Sequence, residues 1–205
     1  MDKRLVMLAL SAVIFLRLGT ARQGTQQPDL SGNWIFDRTG SDDPQSPAAD
    51  CKSHVRGPGG HAGSQQLDTG IFAHPKYHVL GETELYRLDQ TLQLALDEPF
   101  SIRLLQSPMT VTLTTSEGDS LVLPTSGEKV KEAVNGAGDL ESRTYMNGTR
   151  RVIERKVGGG GSVASEYFLS QDGNQLYVVV SFDGRCGKFT FRRVYARETT
   201  PPAPG

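Results

Sequence analysis

Residues 140–195 read LESRTYMNGTRRVIERKVGGGGSVASEYFLSQDGNQLYVVVSFDGRCGKFTFRRVY. Short β-branched and aromatic runs alternate here with Asn147-Gly148, the four glycines 158–161, Asp172-Gly173 and Asp183-Gly184. Asn-Gly and Asp-Gly accept the positive φ angles of tight hairpins. Turns this frequent leave no room for crossover helices, so neighbouring strands must pair antiparallel as a meander. The pattern extends upstream, where Ser116-Glu117-Gly118-Asp119 separates residues 109–115 from 120–123, and 100–105 forms another apolar run. Proline is absent from the later strands, as strands paired on both sides require. A first strand at 29–36 and further strands at 140–145, 150–157, 163–169, 176–182 and 188–195 complete nine candidates. The predicted fold is mainly β, an antiparallel meander closed into an 8–9-stranded up-and-down barrel with one helix after the first strand.

That helix is residues 82–96. Leu85, Leu88, Leu92, Ala95 and Leu96 recur at helical spacing and form one apolar stripe, suited to lying on the sheet or plugging a barrel end. Pro99 disfavours helical backbone in the residue before it and ends the run after Asp97. Residues 38–81, with Gly57-Pro58-Gly59-Gly60 at their middle, are too long for an ordinary connection. They read as a flexible insert or a functional loop.

The chain has 205 residues. Asp2-Lys3-Arg4, the apolar run 5–18 and the small residues Gly19-Thr20-Ala21 form the pattern of a secretory signal peptide over residues 1–21. The run is interrupted by Arg17 and is shorter than the roughly 20 residues a membrane span needs, so no span is expected after cleavage. Thr20 stands where a bacterial lipid anchor would need cysteine. Removing 1–21 changes the formal charge from −1 to −3, with both signs mixed along the chain. Such a surface argues against a nucleic-acid partner, which needs a concentrated basic face. The expected domain is 29–196, followed by a disordered, proline-containing tail at 197–205.

Two cysteines, Cys51 and Cys186, permit a disulfide in an oxidising compartment; two unrelated thiols are the alternative. His54, His61, His74 and His78 all fall in the long loop. Cys51-x-x-His54 and His74-x-x-x-His78 are spacings that zinc tolerates. A metal- or haem-binding loop over 51–78 is therefore one reading, and a polar loop that collects histidines is the other. A metal at Cys51 would compete with a disulfide, and no metal ligand or cofactor is assigned. Nucleophilic catalysis has no motif here, since Gly-x-Ser-x-Gly is absent. Asp42-Asp43 and Asp97-Glu98 read as solvated loop and helix ends. Asn147-Gly148-Thr149 matches the N-glycosylation triplet but also makes a hairpin turn. The glycine run 158–161 lacks the Lys-Ser/Thr and the helix of a phosphate loop. No catalytic residue is assigned.

Alternation sorts the strand residues by face. The inward set is Met109, Val111, Leu113, Tyr167, Leu176, Val178, Val180, Phe189 and Phe191. Arg193 and Tyr195 share the face of Phe189 and Phe191. A small barrel lined this way either fills with side chains or holds one small ligand.

Gly32-x-Trp34 on the first strand, followed by a meander, resembles the lipocalin signature. The resemblance implies that Trp34 closes the narrow end of the barrel under an arginine from the last strand, a role Arg193 fits by its face; stacking on an indole satisfies part of a buried guanidinium. Closer still are uncharacterised secreted bacterial lipocalin-like β-barrel proteins. The chain is similar to them in Ser31-Gly32-Asn33-Trp34, in Leu169-Ser170-Gln171-Asp172-Gly173-Asn174-Gln175-Leu176 and in Phe189-Thr190-Phe191-Arg192-Arg193-Val194-Tyr195. The likeness covers 29–196 apart from the long loop. It departs from lipocalins in placing a helix after the first strand rather than the last, and in lacking their second motif. It implies a fold and no reaction. The expectation is a secreted, periplasmic, monomeric, non-catalytic barrel that binds a small apolar or amphipathic ligand. The alternatives are an envelope interaction module with a filled core, and the metal- or haem-binding loop.

Overall fold

A computed structural model describes residues 28–56, 80–134 and 138–199. The segment 1–21 read as a signal peptide, Gly57-Pro58-Gly59-Gly60, His61, His74, His78 and the end of the tail lie outside these residues. Ten antiparallel strands follow in chain order: β1 (Gly32–Asp37), β2 (Ser101–Gln106), β3 (Thr110–Thr115), β4 (Ser120–Pro124), β5 (Val130–Val134), β6 (Gly138–Asn147), β7 (Arg150–Val157), β8 (Gly161–Leu169), β9 (Gln175–Gly184) and β10 (Gly187–Arg197). Two helices, α1 (Gln45–Arg56) and α2 (Glu82–Leu96), lie between β1 and β2. The strands form one sheet in the order β4-β3-β2-β1-β10-β9-β8-β7-β6-β5. Every neighbour is a sequence neighbour except β1 and β10, which pair to join the two halves. The edges β4 and β5 are not hydrogen-bonded to each other, but β4 approaches β6, so the sheet curls into a nearly closed barrel.

The meander and its barrel closure are as expected, with ten strands and two helices in place of eight or nine strands and one helix. The added strand, β5, reads Val130-Lys131-Glu132-Ala133-Val134 and owes its place to pairing with β6. The added helix, α1, lies inside the stretch read as a loop. The Asp43 carboxylate accepts the Gln45 backbone N–H at its start. Pro47 falls in the first turn, where a missing N–H forfeits no intrahelical bond. Ala48, Cys51 and Val55 bury one stripe at helical spacing. Asp183-Gly184 belongs to β9, and the last hairpin turns at Arg185-Cys186 instead.

Helix α2 has the predicted bounds. Its Glu84 carboxylate reaches back to the Gly81 N–H at 3.2 Å, closing the first turn. Leu88, Leu92 and Ala95 are buried with Thr91. The helix crosses the barrel end that carries the β7–β8 turn and packs on β7, β8 and β9. Gly160 in that turn lies so close to the Arg87 carbonyl and Thr91 hydroxyl of α2 that a Cβ would collide with both. An ion pair from Arg185 to Glu84 (2.6 Å) ties α2 to the β9–β10 turn, and one from Lys52 to Asp89 (2.9 Å) ties it to α1. Cys51 of α1 is disulfide-bonded to Cys186 in the same turn.

The opposite end is closed by Trp34, fully buried, whose indole N–H donates to the Leu30 carbonyl at 3.1 Å. The arginine over its ring is Arg197 and not Arg193. The Arg197 guanidinium carbon stands 4.2 Å from the ring centroid, and the group donates to the carbonyls of Ser31 (3.2 Å) and Gly173 (3.1 Å). Register explains the correction. Arg193, Tyr195 and Arg197 share one face of β10, but Trp34 pairs directly with Arg197. Gly32 makes room for this stack, since a Cβ there would sit 2.9 Å from Arg197 Nη1.

Candidate ligand-binding cavity

The inward faces of the strands follow from register. Tyr167, Val178 and Arg193 lie side by side on β8, β9 and β10, and Leu176 pairs with Tyr195 one step below. On β7 the inward face carries Arg151, Ile153 and Arg155, opposite Tyr167, Ser165 and Val163 of β8. Ile102 of β2 and Leu113 and Thr115 of β3 continue the wall.

These side chains enclose a cavity of about 380 Å³. Its apolar wall is Leu94, Pro99, Ile102, Leu113, Leu121, Ile153, Val163 and Val178. Its polar groups are Thr115, Arg155, Ser165, Tyr167, Arg193 and Tyr195, with Asp97, Asp119 and Ser120 exposed at the mouth. The mouth lies between the C-terminal end of α2 and the β3–β4 turn. The volume and the mixture of an apolar wall with a few polar groups match small-molecule sites.

Arg193 is the central cation, with 6% of its surface exposed. Its Nη2 donates to the Ala95 carbonyl at 2.8 Å, which binds the last turn of α2 to β10, and its guanidinium carbon stands 5.0 Å from the centroid of the Phe191 ring. Its Nε has no hydrogen-bond partner, and neither does Arg155 Nε. Burial pushes the Tyr195 hydroxyl far above the usual phenol range, against the opposing pull of the Arg193 charge. Burial likewise raises Tyr167, opposed by Arg193, a Ser165 hydrogen bond and Arg155. Both phenols therefore remain protonated donors at neutral pH. Below the cavity, on the Trp34 side, Arg151 is 2% exposed with Nε and Nη2 unpaired, and burial lowers its pKa.

Of the nine residues read as inward, Leu113, Tyr167 and Val178 line the cavity. Val111, Leu176, Val180 and Phe191 are buried in the packed core around it, and Phe189 is half-buried on Phe182, with ring centroids 4.7 Å apart. Met109 is corrected: it is 76% exposed, because it sits in the β2–β3 turn one residue before β3 begins, where alternation no longer aims side chains. The strand reading missed Arg155 and Ile153. Their signal is the spacing of Arg151, Ile153 and Arg155 on one face of β7, obscured by Arg150, Glu154 and Lys156 on the other. It also missed the mouth, which only the packing of α2 against the barrel creates.

No group of three His, Cys, Asp or Glu among the described residues is placed to hold a metal. Cys51, bonded to Cys186, offers no thiolate. No described helix is long and apolar enough to cross a membrane.

No family model and no curated protein matches the chain. Several solved structures are similar to it at low sequence identity. Secretory abundant heat soluble protein 4 from Ramazzottius varieornatus is 12% identical, with a TM-score of 0.48 over 86% of this chain and 99% of that one. A protein described as REP1-NXSQ fatty acid transporter is 8% identical, with a TM-score of 0.47 over 84% and 98%. Fatty-acid-binding protein 1 of Echinococcus granulosus is 12% identical, with a TM-score of 0.46 over 82% and 97%. Likenesses this distant carry no residue-level correspondence.

Proposed function

We propose that this protein is a secreted, non-catalytic carrier whose barrel holds one small amphipathic molecule. The observation that carries the reading is the cavity itself: an apolar wall around the guanidinium of Arg193, which is buried and forms no ion pair among the described residues. A buried cation without a counter-ion is costly, and an anionic ligand would supply one. The polar end of the ligand meets Arg193, Arg155 and the phenols of Tyr167 and Tyr195. Its apolar part lies on Ile102, Leu113, Ile153 and Val178. The interaction module with a solid core is disfavoured by the same cavity. Secretion is supported by the Cys51–Cys186 bridge, since disulfides persist in oxidising compartments.

Native mass spectrometry of the mature protein, followed by titration with a fluorescent anilinonaphthalene sulfonate, tests the reading. Extra mass that dissociates on denaturation, or saturable one-to-one dye binding displaced by decanoate, is expected. A bare polypeptide mass together with no dye binding overturns it.

A further inference from the structure

The barrel interior holds more positive charge and more unused donors than a singly charged head group could engage. Arg151, Arg155 and Arg193 all face inward. Among the described residues the ion-paired arginines are Arg143, Arg150 and Arg185, none of which lines the cavity, and none of the three interior guanidiniums forms an ion pair. Each of the three has an unpartnered Nε. Arg155 pairs in register with Ser142 of β6, whose buried hydroxyl is also without a partner. The carboxylates lining the cavity, Asp97 and Asp119, are exposed at the mouth. Guanidiniums stay charged when buried, and a buried charge without a counter-ion is unfavourable.

Building on the carrier reading, we propose that the ligand's head group is a phosphomonoester dianion, seated between Arg155 and Arg193. Arg155, Arg193 and the Tyr167 hydroxyl line the one cavity, and both guanidinium charges act on that hydroxyl. A phosphate brings three strong acceptor oxygens and close to two negative charges above its second pKa of about 6. Its charge can answer both guanidiniums, with an oxygen to spare for a hydroxyl. A carboxylate has two oxygens and one charge. Arg151, deeper on the same face of β7, adds to the positive potential without touching the head.

The test is calorimetric titration of the mature protein with decyl phosphate, decyl sulfate and decanoate, below micelle formation at about pH 8. Decyl phosphate is expected to bind tighter than either monoanion by roughly tenfold or more, the scale of one added charge-assisted hydrogen bond. Arg155→Met is expected to bring the three affinities together, and Arg155→Gln to do the same if the Met variant folds poorly. Arg150→Met removes an equal charge from the outer surface and should leave the preference intact. Sulfate or decanoate matching phosphate in the wild-type protein would overturn the dianion and leave the carrier standing, as would a full preference surviving in both Arg155 variants. If none of the three binds, the carrier reading itself fails.

Discussion

Arg151→Met should make the ligand-free protein more stable. Arg151 is 2% exposed, and its Nε and Nη2 have no hydrogen-bond partner. Its cross-strand neighbours are Met146 and Tyr167, neither of which is anionic. The folded chain thus takes a guanidinium out of water with little in return. Unsatisfied buried donors carry penalties of about 1–3 kcal/mol each, and exchanging buried ionic groups for well-packed apolar ones of similar volume has stabilised proteins by about 1–4 kcal/mol. Methionine matches the arginine stem as far as Nε, and its flexible thioether adapts to irregular gaps. The space vacated by the rest of the guanidinium returns part of the gain, so the net stabilisation should be about 1–3 kcal/mol. For a chain of this size each kcal/mol raises Tm by about 2–4 °C. Urea unfolding with the disulfide intact, followed by far-UV circular dichroism, measures it as a higher midpoint at unchanged slope. A variant less stable than the parent by 1 kcal/mol or more would refute the reasoning, because it would mean that the guanidinium is well served in the folded state.

Arg197→Ala should lower stability by about 1–3 kcal/mol, through loss of two carbonyl hydrogen bonds and the indole stack, and should shift the emission of Trp34, the sole tryptophan. Unchanged fluorescence and stability would return the capping role to Arg193. Replacing both Cys51 and Cys186 by Ser opens a closure spanning 135 residues and should cost about 2–5 kcal/mol, read as a lower urea midpoint that added reductant does not lower further. Stability should fall above about pH 10: the folded state holds the protons of Tyr167 and Tyr195 where the unfolded chain has released them, so unfolding releases protons and is favoured as pH rises. Tyr195→Phe should flatten that decline, and an identical alkaline profile in the variant would rule out Tyr195 as its source.

The local chemistry of strand, turn and helix is legible in the residues alone. Asn147-Gly148 and Asp172-Gly173 announce hairpins because few other residues accept their backbone angles, and α2 is legible to the residue because its leucine stripe ends before Pro99. Elements that depend on partners were hidden. β5 carries Lys131, Glu132 and Ala133, which favour no strand alone, and α1 buries only the small stripe of Ala48, Cys51 and Val55. Alternation tells which residues share a face, but not where a strand starts, so it wrongly aims Met109, one residue before β3, inward. Nor could it choose between Arg193 and Arg197, which lie on the same face of β10; the pairing of Trp34 with Arg197 decided that. The cavity is further from the sequence still. Its volume depends on how ten strands curve and where α2 rests, and its walls unite Leu94, Leu121, Arg155 and Arg193 from four distant segments. Side-chain direction is a property of two or three neighbouring residues, whereas enclosed space and an uncompensated interior charge are properties of the whole closed sheet.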